Sequence, residues 1–493
     1  MVTIKKLLLT LIFAGFLAGF FSYKLIEIPS GLTVDEGAFG YNGVLLSRTG
    51  RDQNGRLMPV FVLSIQGKDW RQPVTQYFIA GFFKIFGPSV FNLRFTSVIV
   101  TIVSALLIFF LGRELLGTLG GILSAAFLLT TPLVMIQSHL ALDNIMVMPF
   151  TLLWLLFILL AEKTKNLKYL FLAGVSLGIG FYSYKAMRVF VPVWCVLTIV
   201  YLAKNFLGNV AIPTMKQSFK NILFFSLGVL PFFAVIPILE IKYAGAVFDR
   251  QGPSWDGIYT FLYPYFSSFD PSFLFIKGDE IVVHSTGKHG MLLLASLPFF
   301  LIGGYMAIRK SGFWRFLLIG FLLAPLLFGF VGSVHRASRL MGLIPIYSLF
   351  CALGFLSLWQ VKKTAWRART AVFILLFLAI VNYADFVYYY WFKYPVEESQ
   401  HFPDLKIEKS YRALAQEAKK RGLTPYIADD IYKRDEENAH FFEAMYFLKP
   451  PEKWPENAKD LPAGSIFMTN HQEIKDFRRA EIGIPYYNFQ IKD

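Results

Sequence analysis

Two adjacent carboxylates, Asp35 and Glu36, stand in the segment VDEGAFGYNG just after a long apolar run. Carboxylates at a membrane face are costly to desolvate, so such a pair points to a cation, a proton to be moved or a polar ligand. Either acid can serve as a general base toward a hydroxyl or ligate a hard metal. The bland alternative is the solvated start of a loop. A third acid, Asp143, follows in QSHLALDNIMVMP, with His139 four residues before it. On a helix those two side chains share one face. Asp-Asn before an apolar run is also a good N-cap, and a lone histidine is more often a local hydrogen-bond partner than a metal ligand.

A second set is cationic. Lys185 and Arg188 lie in FYSYKAMRVFVP, and His335, Arg336 and Arg339 lie in VGSVHRASRL. Arginines three apart at a helix start can face one site, where the helix dipole adds to their charge and favours an anion. At membrane depth the natural anion is a lipid phosphate, and the competing reading is contact with bulk anionic headgroups. A weaker group, His284 and Lys288 in the segment IKGDEIVVHSTGKHG, shares its stretch with scattered charge. No phosphate-binding glycine loop, dinucleotide fingerprint or metalloprotease helix is present, and no hydrolase triad can be assigned.

The elements that must position these residues are read from hydropathy. Of 493 residues, 55% are hydrophobic and 16% charged. An ordinary soluble chain carries about 25% charged residues. The apolar residues come in blocks long enough to cross a hydrocarbon core as helix. Eleven spans are expected, at 7–26, 91–111, 119–135, 145–161, 168–182, 189–206, 221–240, 290–308, 315–332, 340–359 and 371–390. Lys5 and Lys6 followed by the run from Leu7 read as a retained signal-anchor helix with a cytoplasmic N-terminus. Alternate connections then carry Arg113, Lys163, Lys204, Arg309, Lys362 and their basic neighbours, the positive-inside pattern. That topology accounts for most of the net charge of +15 without nucleic acid. It also makes the outer cations Arg188, Arg336 and Arg339 exceptional. Cys195 and Cys351, both in apolar blocks, imply neither a disulfide framework nor a metal site.

The expected organisation is a transmembrane domain over residues 1–390 with long outer loops at 27–90 and 241–289. The stretch Gln76–Phe86 in the first loop reads as an amphipathic interfacial helix. A tail over residues 391–493 follows, outside the cytoplasm by parity. Within it IEKSYRALAQEAKKRGL reads as an amphipathic helix ended by Gly422, and TPYIADD and GSIFMTN read as strands. This predicts an α-helical polytopic membrane protein with a small C-terminal α/β extracytoplasmic domain.

Together these segments resemble the C-type membrane glycosyltransferases, in particular bacterial members of the protein O-mannosyltransferase and aminoarabinose-transferase group. VDEGAFG looks like the family's acidic pair after the first helix. WRQPVTQYFIAGFFKIFGPSVFNLRF looks like its next segment, with the usual double proline reduced to Pro73 behind Gln72. SHLALDN looks like its second-loop Leu-Asp element, with His139 where relatives carry arginine. FLFIKGDEIVVHSTGKHGMLLLASLPFFLIG and HRASRLMGLIP look like later family segments. The Trp-Trp-Asp element of oligosaccharyltransferases is absent.

The resemblance implies a donor sugar on a polyprenyl phosphate and transfer with inversion, at the non-cytoplasmic face of the cell membrane. The acceptor is a protein, a lipid or a glycan. It implies Asp35 and Glu36 as the catalytic acids and Asp143 with His139 as support for the acceptor or for a divalent metal. Lys185, Arg188, His335, Arg336 and Arg339 would hold the lipid phosphate, and membrane lipid is a further partner. The other readings are a transporter or flippase, and a scaffold that presents the tail.

Overall fold

The computed structural model describes residues 2–204, 215–248, 257–310, 312–360, 365–397, 406–432, 436–447, 452–453, 460–470, 478–480 and 488–492. Lys362 and Lys363, two of the expected inner-loop cations, lie outside the described residues.

The apolar blocks fold as helices, because lipid offers their backbone no other partner. Helix α1 (Val2–Phe21) leads to α2 (Val34–Thr49), which carries the acidic pair in its first turn. A hairpin of β1 (Val62–Ser64) and β2 (Asp69–Arg71) precedes α3 (Pro73–Phe86), which contains the expected interfacial stretch. Helix α4 (Val90–Leu129) covers the second expected span and most of the third, and breaks at Gly117, whose φ of 78° lies outside the helical region. Then come α5 (Pro132–Ser138), a 3-10 turn over Asp143–Met146, α6 (Val147–Thr164), α7 (Leu167–Phe181) and α8 (Met187–Lys204). Next are α9 (Met215–Ala234) and α10 (Ile236–Lys242).

The second long loop forms two short helices, α11 (Tyr259–Ser267) and α12 (Pro271–Phe275). Helices α13 (Leu297–Arg309), α14 (Phe313–Leu323) and α15 (Leu326–Val331) follow. A 3-10 turn over Ala337–Gly342 leads into α16 (Ile344–Trp359), and α17 (Ala365–Tyr388) ends in a π turn at Tyr389–Lys393. The tail holds α18 (Tyr394–Glu397), α19 (Lys406–Arg421), β3 (Thr424–Ile427), α20 (Asp429–Tyr432), α21 (Glu436–Tyr446), β4 (Glu452–Lys453), β5 (Ser465–Thr469), β6 (Arg478–Ala480) and β7 (Asn488–Lys492).

Among the described residues, five helical stretches are long and apolar enough to cross a bilayer, the longest being Val90–Leu129, and five shorter apolar helices accompany them. This is a multi-pass membrane protein.

The chain divides into two compact units. The first comprises residues 1–23, 72–75 and 97–393. Its helices pack through small residues, since lipid gives apolar helices no hydrophobic reason to associate. Gly303 on α13 and Gly354 on α16 bring those backbones so close that a Cβ on either would collide with a carbonyl of the other helix. The core of this unit is rich in aromatic rings. Trp154 stacks on Trp194 with centroids 5.0 Å apart and donates from Nε1 to Thr198 Oγ1 at 3.0 Å.

The second unit comprises residues 24–71, 76–96 and 394–493. Its sheet has the order β4-β3-β5-β7-β6. β3 runs parallel to β4 and β5, pairing Thr424 with Ser465, while β7 runs antiparallel to β5 and β6. Residues 394–493 thus belong to the same compact unit as most of the first long loop.

Candidate functional site

In the second unit, the acids are placed by the start of α2. Thr33 is the N-cap: its hydroxyl accepts from the Glu36 amide at 3.1 Å, and the Glu36 carboxylate accepts from the Thr33 amide at 3.0 Å. This capping box fixes the first turn. Glu36 is fully buried, and its other contact is Arg94, also fully buried, whose Nε donates to Oε1 at 2.8 Å and Nη2 to Oε2 at 3.3 Å. Arg94 also donates to the carbonyls of Leu25 and Pro29 at 3.0 Å each and of Gly31 at 2.5 Å. The expectation of Glu36 as a catalytic acid is therefore corrected. Its carboxylate is sealed from solvent and its oxygens are occupied, so it anchors the helix start.

Asp35, the preceding residue, turns the other way. Its side chain is 52% exposed and lies 2.7 Å from Nη2 of Arg71, which is itself buried. Arg71 is held by three further contacts: Nε donates to Ser64 Oγ at 2.8 Å, the guanidinium stacks on Phe39 at 4.9 Å, and Asp69 lies 3.4 Å from Nη2. An accessible carboxylate on a rigid, cationic mount is suited to accept a proton from a hydroxyl.

Neither Arg71 nor Arg94 is singled out by the sequence reading. Arg94 carries a usable signal, a lone charge inside the apolar run of the second span. Among the described residues no group of three or more His, Cys, Asp or Glu side chains is arranged to hold a metal ion. Asp35 and Glu36 each face an arginine instead, which is a poor donor set for a metal.

In the first unit, several expected site residues come together. The turn Asp143–Met146 packs against the turn Ala337–Gly342, and Gly342 abuts the Phe190 ring in the first turn of α8. Asn144 donates to Gln137 Oε1 at 2.8 Å, and the Gln137 amide meets His284 Nδ1 at 3.0 Å, which adds the second loop to the cluster. Asp279, buried, accepts from the Ala337 amide at 2.8 Å and lies 4.0 Å from Arg336. Arg336 is partly exposed, and Arg339 follows it within the 3-10 turn.

His335 has an unusual backbone, with φ of +47°, and its Nε2 lies 3.0 Å from Asp270. A non-glycine residue in this region is uncommon and marks a constrained site. Arg188 donates to the carbonyls of Val247 at 2.8 Å and Ala246 at 2.5 Å and to Gln72 Oε1 at 3.2 Å. Those acceptors make it a tie between α8 and the start of the second loop. Lys185 is half-buried in the turn before α8, and Lys288 is exposed.

Three local expectations are corrected. His139 and Asp143 do not share a helix face, because α5 ends at Ser138; His139 is fully buried with its ring 5.3 Å from that of Tyr390. Asp143 is not the N-cap of its span, since Leu142 takes that position and no side chain caps it. Arg336 and Arg339 do not head an α-helix: Arg336 is extended, at φ −96°, and the six-residue turn after it is 3-10, so the dipole of a long helix is not behind them.

An apolar groove of about 660 Å³ lies among α13, α14, α16 and the segments around them. It is lined by Leu297 and Ile308 of α13, Phe321 of α14, and Leu340 and Leu343 next to Arg339. Phe269 and Pro271, on either side of Asp270, also line it. Leu297 to Ile308 is about 16 Å along the helix. The groove therefore borders both segments that carry the His335–Asp270 pair and Arg339.

Residues 71–239 match the family model described as Dolichyl-phosphate-mannose-protein mannosyltransferase. No curated protein sequence matches the chain. Among solved structures, the fold is similar to ArnT from Cupriavidus metallidurans bound to undecaprenyl phosphate, with TM-score 0.56 and 10% identity over 90% of this chain and 86% of that one. It is also similar to the archaeal oligosaccharyltransferase AglB from Archaeoglobus fulgidus in complex with an inhibitory peptide and a dolichol-phosphate. There the TM-score is 0.53 and the identity 12%, over 89% of this chain and 63% of that one. The expected resemblance thus finds support at two levels: residues 71–239 match the mannosyltransferase family model, and the chain shares its fold with ArnT and AglB.

Proposed function

We propose that this protein transfers a sugar from a polyprenyl-phosphate donor to a hydroxyl-bearing acceptor. The observation that carries the reading is the long apolar groove bordered by the His335–Arg339 segment. A prenyl chain needs an extended apolar bed, and burying it stabilises the complex by about 0.8 kcal/mol per methylene-sized group. Its phosphate needs fixed cations at the end of that bed, and Arg336 and Arg339 are the residues suited to it, with Lys185 a further candidate. Arg188 and Asp279 hold the surrounding segments in place.

In this mechanism Asp35 accepts the proton of the acceptor hydroxyl. The acceptor oxygen attacks the anomeric carbon from the face opposite the phosphate, and the carbon–oxygen bond to the phosphate breaks with its electron pair on the leaving oxygen. Configuration inverts. The phosphate gains a negative charge as it leaves, which preorganised arginines stabilise most in that state. Asp143 and His284, clustered with the cationic turns, orient the donor sugar. The first long loop, the second long loop and the tail lie on the extracytoplasmic side of the cell membrane, a reading supported by the basic inner connections. The acceptor is a protein, a lipid or a glycan.

The test uses the purified full-length protein in vesicles containing a radiolabelled polyprenyl-phosphate sugar. Release of polyprenyl phosphate that requires Arg339 supports the reading. Transport of the labelled lipid across the bilayer with its sugar bond intact overturns it.

A further inference from the structure

Arg336 stands between His335 and Ala337, the first residue of the 3-10 turn that carries Arg339. Acids from one stretch of the second long loop grip both of those neighbours. The stretch is closed on itself: the Lys277 amide donates to the Ser272 carbonyl at 2.8 Å, and the Leu292 amide donates to the Leu274 carbonyl at 2.7 Å. Gly278, at φ of +81°, leads into the buried Asp279. A Cβ on Gly278 would collide with Ser285 Oγ and the His289 carbonyl, so the turn requires glycine.

Asp279 holds the C-terminal side of Arg336. Its Oδ2 accepts from the Ala337 amide at 2.8 Å and its Oδ1 from the Ile281 amide at 2.9 Å. A buried carboxylate with both oxygens engaged by backbone amides is a fixed point, because moving it strands polar groups away from water. Asp270 holds the other side. Its Oδ1 accepts from the Ser272 amide at 2.8 Å, as the N-cap of α12, and its Oδ2 lies 3.0 Å from Nε2 of His335. The His335 ring also stacks on Phe273, with centroids 5.2 Å apart. These ties support the positive φ of His335, a backbone state that a non-glycine residue keeps only when its surroundings impose it. Between the two grips the Arg336 guanidinium remains partly exposed, 4.0 Å from Asp279.

We propose that Asp270 and Asp279 are positioning residues for Arg336: through His335 and the Ala337 amide they fix the backbone on both sides of the arginine and so aim its guanidinium at the donor phosphate. The proposal rests on the reading of Arg336 as a phosphate ligand. The second long loop then belongs to the phosphate site although its acids do not touch the phosphate. The same stretch sets Phe269 and Pro271 against the apolar groove, so one element shapes the wall of the lipid bed and mounts the arginine.

The experiment is a double-mutant cycle on the full-length protein in phosphatidylcholine vesicles. It measures binding of a radiolabelled polyprenyl phosphate and of the matching polyprenol, with thermal unfolding of each variant. Arg336→Ala should weaken the polyprenyl phosphate about 30-fold, the scale of a lost hydrogen bond to a charged group. Asp279→Ala should weaken it about fivefold, the cost of ordering one side chain that the fold no longer holds. In the Arg336→Ala background, Asp279→Ala should add less than about twofold, because the two residues act as one unit. Polyprenol, which has no phosphate, should bind every variant within about twofold of wild type. If Asp279→Ala fails to fold, Asp270→Asn carries the same cycle, since it keeps an oxygen for the Ser272 amide and loses the carboxylate that meets His335; its expected loss is about threefold. Additive losses overturn the proposal, as does an equal loss for polyprenol. If Arg336→Ala binds polyprenyl phosphate as wild type does, the phosphate-ligand reading has failed and the proposal with it; if Arg336→Ala binds weakly and the cycle is additive, only the positioning role has failed.

Discussion

Arg71 Nη2 lies 2.7 Å from the Asp35 carboxylate, with the arginine buried and the acid half exposed. The arrangement leaves one face of the acid open to a substrate while its other side meets a buried guanidinium held by Ser64 and Phe39. Arg71→Lys removes the fork that reaches Ser64 and Asp35 together, because an ammonium on a flexible stem does not reproduce it. Transfer kcat should fall about 10- to 100-fold, with donor binding retained. Steady-state kinetics of the vesicle-reconstituted variant check this; an unchanged kcat would show that Asp35 needs no clamp.

Glu36 and Arg94 form a pair with no exposure on either side chain, so removing one leaves the other charged and unmatched. Arg94→Leu should destabilise the protein by about 3–5 kcal/mol, seen as a lower thermal midpoint or loss of folded protein from the membrane. A midpoint equal to wild type would mean that the pair is not what holds the start of α2.

Gly304 lines the apolar groove, and a Cβ placed there meets nothing within 4 Å. Gly304→Phe should therefore fold normally and fill the groove. KM for a long-chain donor should rise about tenfold, the cost of displacing two methylene-sized groups, while a short-chain donor is affected less. Equal effects on both chain lengths would remove the groove from donor binding.

Burial raises the Glu437 carboxyl above the usual carboxylate range. The folded form then holds that proton more tightly than the unfolded chain does. Its contribution to stability is present at low pH and is lost as pH rises through the raised value. Thermal midpoints between about pH 4 and pH 8 should show wild type losing ground to Glu437→Gln as pH increases. Parallel curves would place Glu437 in a more solvated setting.

Much of the membrane fold was legible in the sequence because a bilayer leaves few options: the apolar block 168–182 emerges as a helix at nearly those bounds, and the block 340–359 as a helix from Ile344 to Trp359. The break at Gly117 and the 3-10 turns at Asp143 and Ala337 were not legible, since they depend on packing between segments far apart in the chain. The same limit hid the site's supports. The acidic pair stood out by type and spacing, but only the fold shows that Glu36 faces Arg94 from 58 positions away and Asp35 faces Arg71. Likewise the tail segments IEKSYRALAQEAKKRGL, TPYIADD and GSIFMTN read as a helix and two strands, and the structure has a helix at Lys406–Arg421 and strands at Thr424–Ile427 and Ser465–Thr469. The tail's packing through α21 onto α2 was not legible, because nothing local in residues 436–446 names a partner some 400 positions earlier.

The central claim is that Asp35 takes the proton in sugar transfer from a polyprenyl phosphate. The most direct measurement compares Asp35→Asn with wild type for transfer from a radiolabelled polyprenyl-phosphate sugar, alongside binding of the same lipid. The variant should insert, unfold at a similar temperature and bind the donor normally, while transfer falls by about 10²–10⁴-fold, the contribution of a general base. Transfer at the wild-type rate by a well-folded Asp35→Asn protein would contradict it.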